Sequence, residues 1–71
     1  MWVTGEINGY KYEAKQYLEG SDFGINGGRI SKLCIRKDGV ILYSYDRGLD
    51  FDNLDKAGKT VYAEILDMLA R

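Results

Sequence analysis

The first part of the chain alternates apolar and polar residues in the way that predicts a β-hairpin. Segments 2–7 and 10–18 flank Asn8-Gly9, which favours a two-residue type I′ turn because both turn positions need positive φ. The turn pairs Gly5 with Tyr12, which leaves room for the ring across the glycine backbone. One face of the pair is then apolar: Val3, Ile7, Tyr10, Tyr12 and Ala14. The other face is polar: Thr4, Glu6, Lys11, Glu13 and Lys15.

A second hairpin is predicted to turn at Asp38-Gly39, with arms at about 29–37 and 40–46. Two registers remain open. A two-residue turn groups four residues on one face: Leu33, Ile35, Val40 and Leu42. A three-residue loop with a glycine bulge instead groups five: Leu33, Ile35, Ile41, Tyr43 and Tyr45. Both arms carry apolar residues on both faces, which is typical of central strands or of a sheet whose second face another subunit covers.

The segment 54–70 has the apolar periodicity of a helix. Its stripe recurs at spacings of three and four: Leu54, Ala57, Val61, Ile65 and Met68, widened by Tyr62, Leu66 and Leu69. Asp52 or Asn53 is expected to cap its start, while Asp55 and Arg71 suit the helix dipole. Gly58 costs such a helix about 1 kcal/mol relative to alanine, a cost that close packing on the sheet would explain.

These elements predict one α+β domain over residues 1–71. Its sheet has four antiparallel strands in two hairpins, with one C-terminal helix packed on a face, in the order ββββα. Glycines separate the elements, since the chain has nine of them and no proline. A hydrophobic content of 45% is ordinary for a globular domain.

Composition excludes several kinds of chemistry. The chain has no histidine, so it cannot build a histidine-based triad, proton shuttle or metal site. Its single cysteine, Cys34, cannot form an internal disulfide, and a lone thiol suits a reducing cytosol. No apolar run approaches the ~20 residues that span a bilayer, and the first residues lack a signal-peptide pattern. A net charge of −1 argues against general nucleic-acid binding.

The glycine-rich segment 19–29 is the first candidate site. We expect an ordered loop over 19–28, with Phe23 and Ile25 as its apolar anchors. Glycine lets successive backbone N–H groups converge on an anion, and nearby polar side chains add hydrogen bonds and charge. The candidate ligand-binding residues of this segment and the next strand are Ser21, Phe23, Asn26, Gly27, Gly28, Arg29 and Lys32. The spacing matches no established phosphate loop, so a long hairpin connection is the alternative.

The segment 45–50 is the second candidate, because it follows a strand and displays polar groups at its end. Arg47 could meet a phosphate, Tyr45 could stack on a ring, and Asp46 completes the candidate set. The alternative is a simple strand exit in which Asp46 and Arg47 pair with each other or cap the turn. The nearby acidic residues do not match a calcium loop, so we expect no metal site.

An interface is also expected on the sheet, at Trp2, Ile41 and Tyr43. The predicted position of Trp2 beside Lys15 on the polar face leaves the indole partly exposed, as is typical of interface anchors. Together with the apolar character of both faces of the second hairpin, this predicts a homo-oligomer. Core packing remains the more ordinary explanation for the six tyrosines of the chain.

Three blocks of sequence carry a resemblance to a known family. They are Trp2 with Gly5, then G-S-x-F-G-I-x-x-G-R-I-S-K-L-x-I over 20–35, then Y-D-R-G-x-D over 45–50. This pattern resembles a family of small uncharacterised proteins of phages and prophages of low-GC Gram-positive bacteria. The resemblance runs nearly end to end and implies an accessory protein in the cytoplasm of the infected bacterial host.

Together these observations predict a non-enzymatic protein that counters antiviral defence by binding and sequestering a nucleotide-type signalling molecule. We expect no cofactor, no membrane contact and no direct binding of nucleic acid. One alternative is a protein–protein inhibitor of a host defence effector, acting through acidic groups at Glu13, Asp46, Asp50 and Asp52. Another is a structural or regulatory phage module. An enzyme is the least expected class, since carboxylates, lysines and tyrosines would be its only general bases.

Overall fold

The computed structural model describes residues 1–69, which form a five-stranded antiparallel sheet and one helix. The strands are β1 (Trp2–Ile7), β2 (Tyr10–Gln16), β3 (Ile30–Lys37), β4 (Val40–Asp46) and β5 (Leu49–Asp52), and the helix is α1 (Lys56–Leu69). Each strand pairs with the next along the chain, in the order β1-β2-β3-β4-β5. The α+β class with one C-terminal helix is therefore confirmed, but the sheet has five strands instead of the predicted four.

The first hairpin has the predicted turn and register. Asn8 and Gly9 have φ of 51° and 84°, the positive values that a type I′ turn requires. The register pairs Val3 with Ala14 and Gly5 with Tyr12. A Cβ atom at Gly5 would lie 2.5 Å from the Tyr12 hydroxyl oxygen, so the tyrosine ring does lie across the glycine, as predicted.

The second hairpin combines parts of both predicted registers. Lys37 pairs with Val40 across the two-residue turn, but a bulge then shifts the ladder so that Tyr43 lies opposite Ile35. The extra residue in β4 is Leu42, which is half-buried against the core. Val40 and Ile41 are both exposed. The two-residue turn grouped Val40 with the core residues Leu33 and Ile35, and the three-residue loop grouped Ile41 with them, so each register is wrong at one position.

The fifth strand was missed by the sequence analysis, which predicted only a strand exit. β5 pairs Leu49 with Tyr45 and Phe51 with Ser44, and all four of its residues are exposed. An exposed edge strand has no buried face to impose alternation on its sequence. The short length and full exposure of β5 therefore explain why no alternating hydrophobic pattern predicted this strand.

The core lies between the helix and one face of the sheet. Its buried apolar side chains are Tyr10, Tyr12, Ala14, Ile25, Ile30, Leu33, Ile35, Tyr43, Leu54, Val61 and Ile65. On the helix, Gly58 faces the sheet, and a Cβ there would lie 3.2 Å from the Tyr10 ring. The helix packs closely on the sheet at Gly58, as predicted, and Ala57 and Met68 of the predicted stripe are exposed.

The helix begins at Lys56, so its cap is Asp55, not the predicted Asp52 or Asn53. The Asp55 carboxylate accepts the Gly58 N–H at 2.7 Å and the Tyr10 hydroxyl at 2.7 Å. Asp52 instead accepts the Leu54 N–H at 3.0 Å, just before the helix. The segment predicted as helix extends to residue 70, and its last residue and Arg71 lie outside the described residues.

Because of this cap, the free energy of unfolding is expected to depend on pH in the acid range. The Tyr10 hydroxyl and then the Gly58 N–H hold the pKa of Asp55 below its usual value. A depressed folded-state pKa stabilises the fold above the unfolded-state pKa, and this contribution is lost as pH falls through the folded-state value. We expect Asp55→Asn to lower the urea midpoint at neutral pH and to reduce its fall in acid. Asp22→Asn, in the exposed loop, is the control, and an equal acid response in both variants would contradict the assignment.

Candidate functional site

A cleft of about 830 Å³ lies where β2, β3 and the turn after β4 meet the long loop 17–29. Its volume is within the range of small-molecule sites. Nine residues line it: Lys15, Tyr17, Leu18, Glu19, Ser21, Phe23, Ser31, Lys32 and Arg47. Lys15 and Lys32 neighbour Ala14 and Leu33 of the core, so by strand alternation they project from the sheet face opposite the helix. The cleft therefore opens away from the helix.

The loop 17–29, which contains the segment 19–28 predicted as a loop, forms one wall of this cleft. The Tyr17 N–H donates to the Arg29 carbonyl at 2.9 Å, and the Ser21 N–H donates to the Gly28 carbonyl at 3.2 Å. A Cβ at Gly24 would overlap the Gly28 carbonyl oxygen, so this contact requires glycine. Backbone therefore packs directly on backbone inside the loop.

Only one of the two predicted loop anchors reaches the core. Ile25 is buried, at the start of a short 3₁₀ turn, Ile25–Gly27. Phe23 is 52% exposed and lies instead under the Arg47 guanidinium, whose carbon is 4.4 Å from the ring centroid. The anchor prediction is thus wrong for Phe23, which is a surface of the cleft.

The turn after β4 aims Arg47 into the cleft. Arg47 has φ of 59°, a left-handed value that non-glycine residues rarely adopt. Its N–H donates to the Ser31 carbonyl at 2.8 Å, which holds this conformation against β3. The Tyr45 hydroxyl donates to the Phe23 carbonyl at 3.0 Å. Tyr45 therefore fastens the loop to the sheet, whereas the sequence analysis assigned it to ring stacking.

Two lysines face each other across the floor of the cleft. Lys15 pairs in register with Lys32, a juxtaposition of like charges that costs free energy in an antiparallel pair. Asp46 offsets part of this cost, since its carboxylate lies 3.6 Å from the Lys32 ammonium. The Lys15 ammonium lies 5.5 Å from the Tyr17 ring centroid, and its proximity is the main reason that the pKa of Tyr17 is lowered.

Ser31 is the buried polar residue of the cleft. A bulge in the β2–β3 ladder pairs Lys32 with Lys15 and Ile30 with Gln16, which leaves Ser31 as the extra residue. Ser31 is 5% exposed, and its hydroxyl has no hydrogen-bond partner among the described residues. The Ser31 hydroxyl also helps to lower the pKa of Tyr17, although by less than Lys15 does. The hydroxyls of Ser31 and Tyr17 are not in hydrogen-bonding geometry.

A family model described as Domain of unknown function (DUF7678) matches residues 1–70. The chain belongs to this family. The match includes both walls of the cleft and the strands between them. No curated protein shows a significant match to the chain. No solved structure does either.

The structure brings together part of the predicted ligand-binding set. Four members line the cleft, namely Ser21, Phe23, Lys32 and Arg47. Asp46 and Tyr45 do not line it but contact two residues that do, Lys32 and Phe23 respectively. Five lining residues were missed: Lys15, Tyr17, Leu18, Glu19 and Ser31. The predicted pairing of the first hairpin already placed Lys15 on the polar face, which was the available signal.

Arg29 and the end of the loop do not belong to this cleft. The Arg29 guanidinium donates to the Leu69 carbonyl at 3.3 Å, where a cation also complements the helix dipole. Asn26, Gly27 and Gly28 form the turn of the loop and are not among the lining residues. Arg29 and Arg47 therefore serve different parts of the structure, because Arg29 contacts the end of the helix and Arg47 lines the cleft.

The sheet face opposite the helix carries both polar and exposed apolar side chains. On β3 and β4 its residues include Lys32, Cys34, Arg36, Ser44 and Asp46. Ile41 pairs with Arg36 and Phe51 pairs with Ser44, so these two exposed apolar side chains lie on the same face. The bulge in β4 returns Tyr43 and Tyr45 to the helix side. Of the predicted interface residues, Trp2 is partly exposed beside Lys15 and Ile41 is exposed. Tyr43 is 3% exposed beneath the helix and is not at the surface.

No helix within residues 1–69 has the length and hydropathy needed to cross a membrane. In the same part of the chain, no three acidic or cysteine side chains come together as a metal site would need.

Proposed function

We propose that the chain is a non-enzymatic binding protein that holds a nucleotide-type small molecule in the cleft. The observation that carries this proposal is the convergence of three cations and two aromatic rings on one concave surface. The cations are Lys15, Lys32 and Arg47, and the rings are Tyr17 and Phe23. A phosphate and a planar base are the two chemical groups that such a surface recognises together.

The phosphate and the base of a nucleotide each have a physical counterpart in the cleft. A phosphate between Lys15 and Lys32 would relieve the repulsion that these side chains exert across the strands. Arg47 is planar and rests on Phe23, so it extends an aromatic surface while adding a charge. Stacking of a base on such a surface contributes about 1–3 kcal/mol.

Sequestration is the role that we propose for this binding. The resemblance to phage proteins supports it, because a protein that captures a defence signal needs affinity and no reaction. The cytoplasm of an infected bacterium is the corresponding location. The acidic surface of the alternative, a protein–protein inhibitor, has less support: Glu13 accepts from Arg36 at 2.8 Å, and Asp50 accepts from Ser44 at 3.1 Å. Self-association stays a prediction.

Calorimetry against nucleotides tests the proposal. The panel contains mononucleotides, linear and cyclic dinucleotides, and isomers of cyclic ADP-ribose. We expect at least one of them to bind, and Arg47→Gln to weaken that binding about tenfold or more, as loss of a charge-assisted hydrogen bond does. Lys11→Gln is the matched control, since Lys11 lies on the same sheet face but outside the cleft.

Two outcomes would contradict this proposal. One is the absence of binding across the whole panel. The other is an equal loss of affinity in Arg47→Gln and Lys11→Gln, which would indicate a general charge effect with no contribution from the cleft.

A further inference from the structure

The charge of the cleft limits the charge of its ligand. The cations Lys15, Lys32 and Arg47 face two carboxylates, Glu19 in the lining and Asp46 on Lys32. Three positive and two negative groups leave one net positive charge. A phosphate diester carries one negative charge, whereas a terminal phosphate monoester carries about −1.5 to −2 at neutral pH. The charge of a diester matches the net charge of the cleft, whereas the charge of a monoester would exceed it.

The buried hydroxyl of Ser31 indicates where that phosphate lies. A buried polar group without a hydrogen bond is costly, and most native proteins avoid it. Ser31 is on the cleft lining, next to Lys32 in sequence, and its buried hydroxyl has no hydrogen-bond partner within residues 1–69. Rotation of this side chain about χ1 would turn the hydroxyl into the cleft, where a phosphate oxygen close to the lysine charges would accept its hydrogen bond.

The two rings of the cleft lie on different elements. Tyr17 directly follows the end of β2, while Phe23 lies in the loop beneath Arg47. Both are substantially exposed, so both have ring surface available to a ligand. Two separate stacking surfaces suit a ligand with a planar group on each side of its phosphate.

We infer that the cleft is a phosphodiester site for a dinucleotide, with the bridging phosphate hydrogen-bonded by the Ser31 hydroxyl between Lys15 and Lys32. The two bases then lie against Tyr17 and against Phe23 with Arg47. This inference rests on the proposed function, and it names the class of nucleotide that the cleft prefers.

A pair of adenine nucleotides tests the inference with the full chain. Adenylyl-(3′→5′)-adenosine has two bases on one diester, and adenosine 5′-monophosphate has one base on a monoester. We expect calorimetry to show that the dinucleotide binds about tenfold or more tightly than the monophosphate. Ser31→Ala should weaken binding of the dinucleotide about tenfold, since it removes a hydrogen bond to a charged group. Ser44→Ala, on the neighbouring strand and outside the cleft, is the control.

Thermal unfolding without ligand separates a binding role from a structural one. The Ser31 hydroxyl has no hydrogen bond to lose within the described part of the chain, so Ser31→Ala should leave the Tm unchanged or raise it. A Tm lowered by several degrees would instead show that the hydroxyl supports the fold, and would overturn its assignment to ligand.

The outcomes distinguish this inference from the proposed function. Equal or tighter binding of the monophosphate overturns the inference and leaves nucleotide binding in place. Unchanged affinity of Ser31→Ala for the dinucleotide does the same. If neither probe nor any other nucleotide of the panel binds, both the inference and the proposed function fail.

Discussion

Ile65→Ala is expected to destabilise the domain by about 2–5 kcal/mol, the usual cost of removing a large apolar side chain from a packed core. Ile65 is fully buried between the helix and the sheet, in one cluster with Tyr10, Ile35 and Val61. A domain of this length has a total stability of roughly 4–10 kcal/mol. The single substitution should therefore remove about half of it.

Urea denaturation followed by circular dichroism measures this effect. Met68→Ala is the control on the same helix, because Met68 is 53% exposed and also belongs to the apolar stripe read from the sequence. It should change stability by no more than about 0.5 kcal/mol. Equal losses in the two variants would mean that the helix presents a different face to the sheet.

Gly24→Ala is expected to open the loop 17–29 and to remove one wall of the cleft. The added Cβ would overlap the Gly28 carbonyl oxygen, and backbone cannot move aside as a flexible side chain can. Such overpacking costs about 1–3 kcal/mol. Because Ser21 and Phe23 belong to the same wall, nucleotide binding should fall with stability.

Gly48→Ala is the matched control for this substitution. Gly48 lies in the turn beside Arg47, and its φ is not positive. Among the described residues other than its two chain neighbours, none comes within 4 Å of a Cβ built there. Thermal unfolding and calorimetry should find it close to the unsubstituted chain. A stable Gly24→Ala variant with full affinity would contradict the backbone contact that defines the loop.

The two hairpins show where sequence reasoning succeeds in this fold. The turn geometry of Asn8-Gly9 determines the register of β1 and β2. The side of the sheet to which their side chains project therefore followed from the sequence. Asp38-Gly39 determines its turn equally well, but the bulge at Leu42 depends on which side chains the helix covers. That choice belongs to tertiary packing, and no local pattern encodes it.

The cleft was predictable only in part, for a similar reason. The glycines of the loop and the polar residues after β4 marked two of its walls. Its floor depends on the juxtaposition of Lys15 and Lys32, which are distant in sequence and meet through the pairing of β2 with β3. Ser31 lines the cleft because of a bulge in the pairing of β2 with β3. Arg29 does not line it, because its side chain contacts the end of the helix.

The order of the elements has a consequence for synthesis of the protein. All five strands precede the helix, so the whole sheet is synthesised before residues 56–69. Until then the aromatic face of Tyr10, Tyr12 and Tyr43 has no cover, and exposed apolar surface of this kind is prone to aggregation. Because each strand pairs with its immediate neighbour in sequence, the sheet can fold quickly against the helix once the helix has been synthesised. A nascent chain stalled before the helix is thus the species that a chaperone would protect.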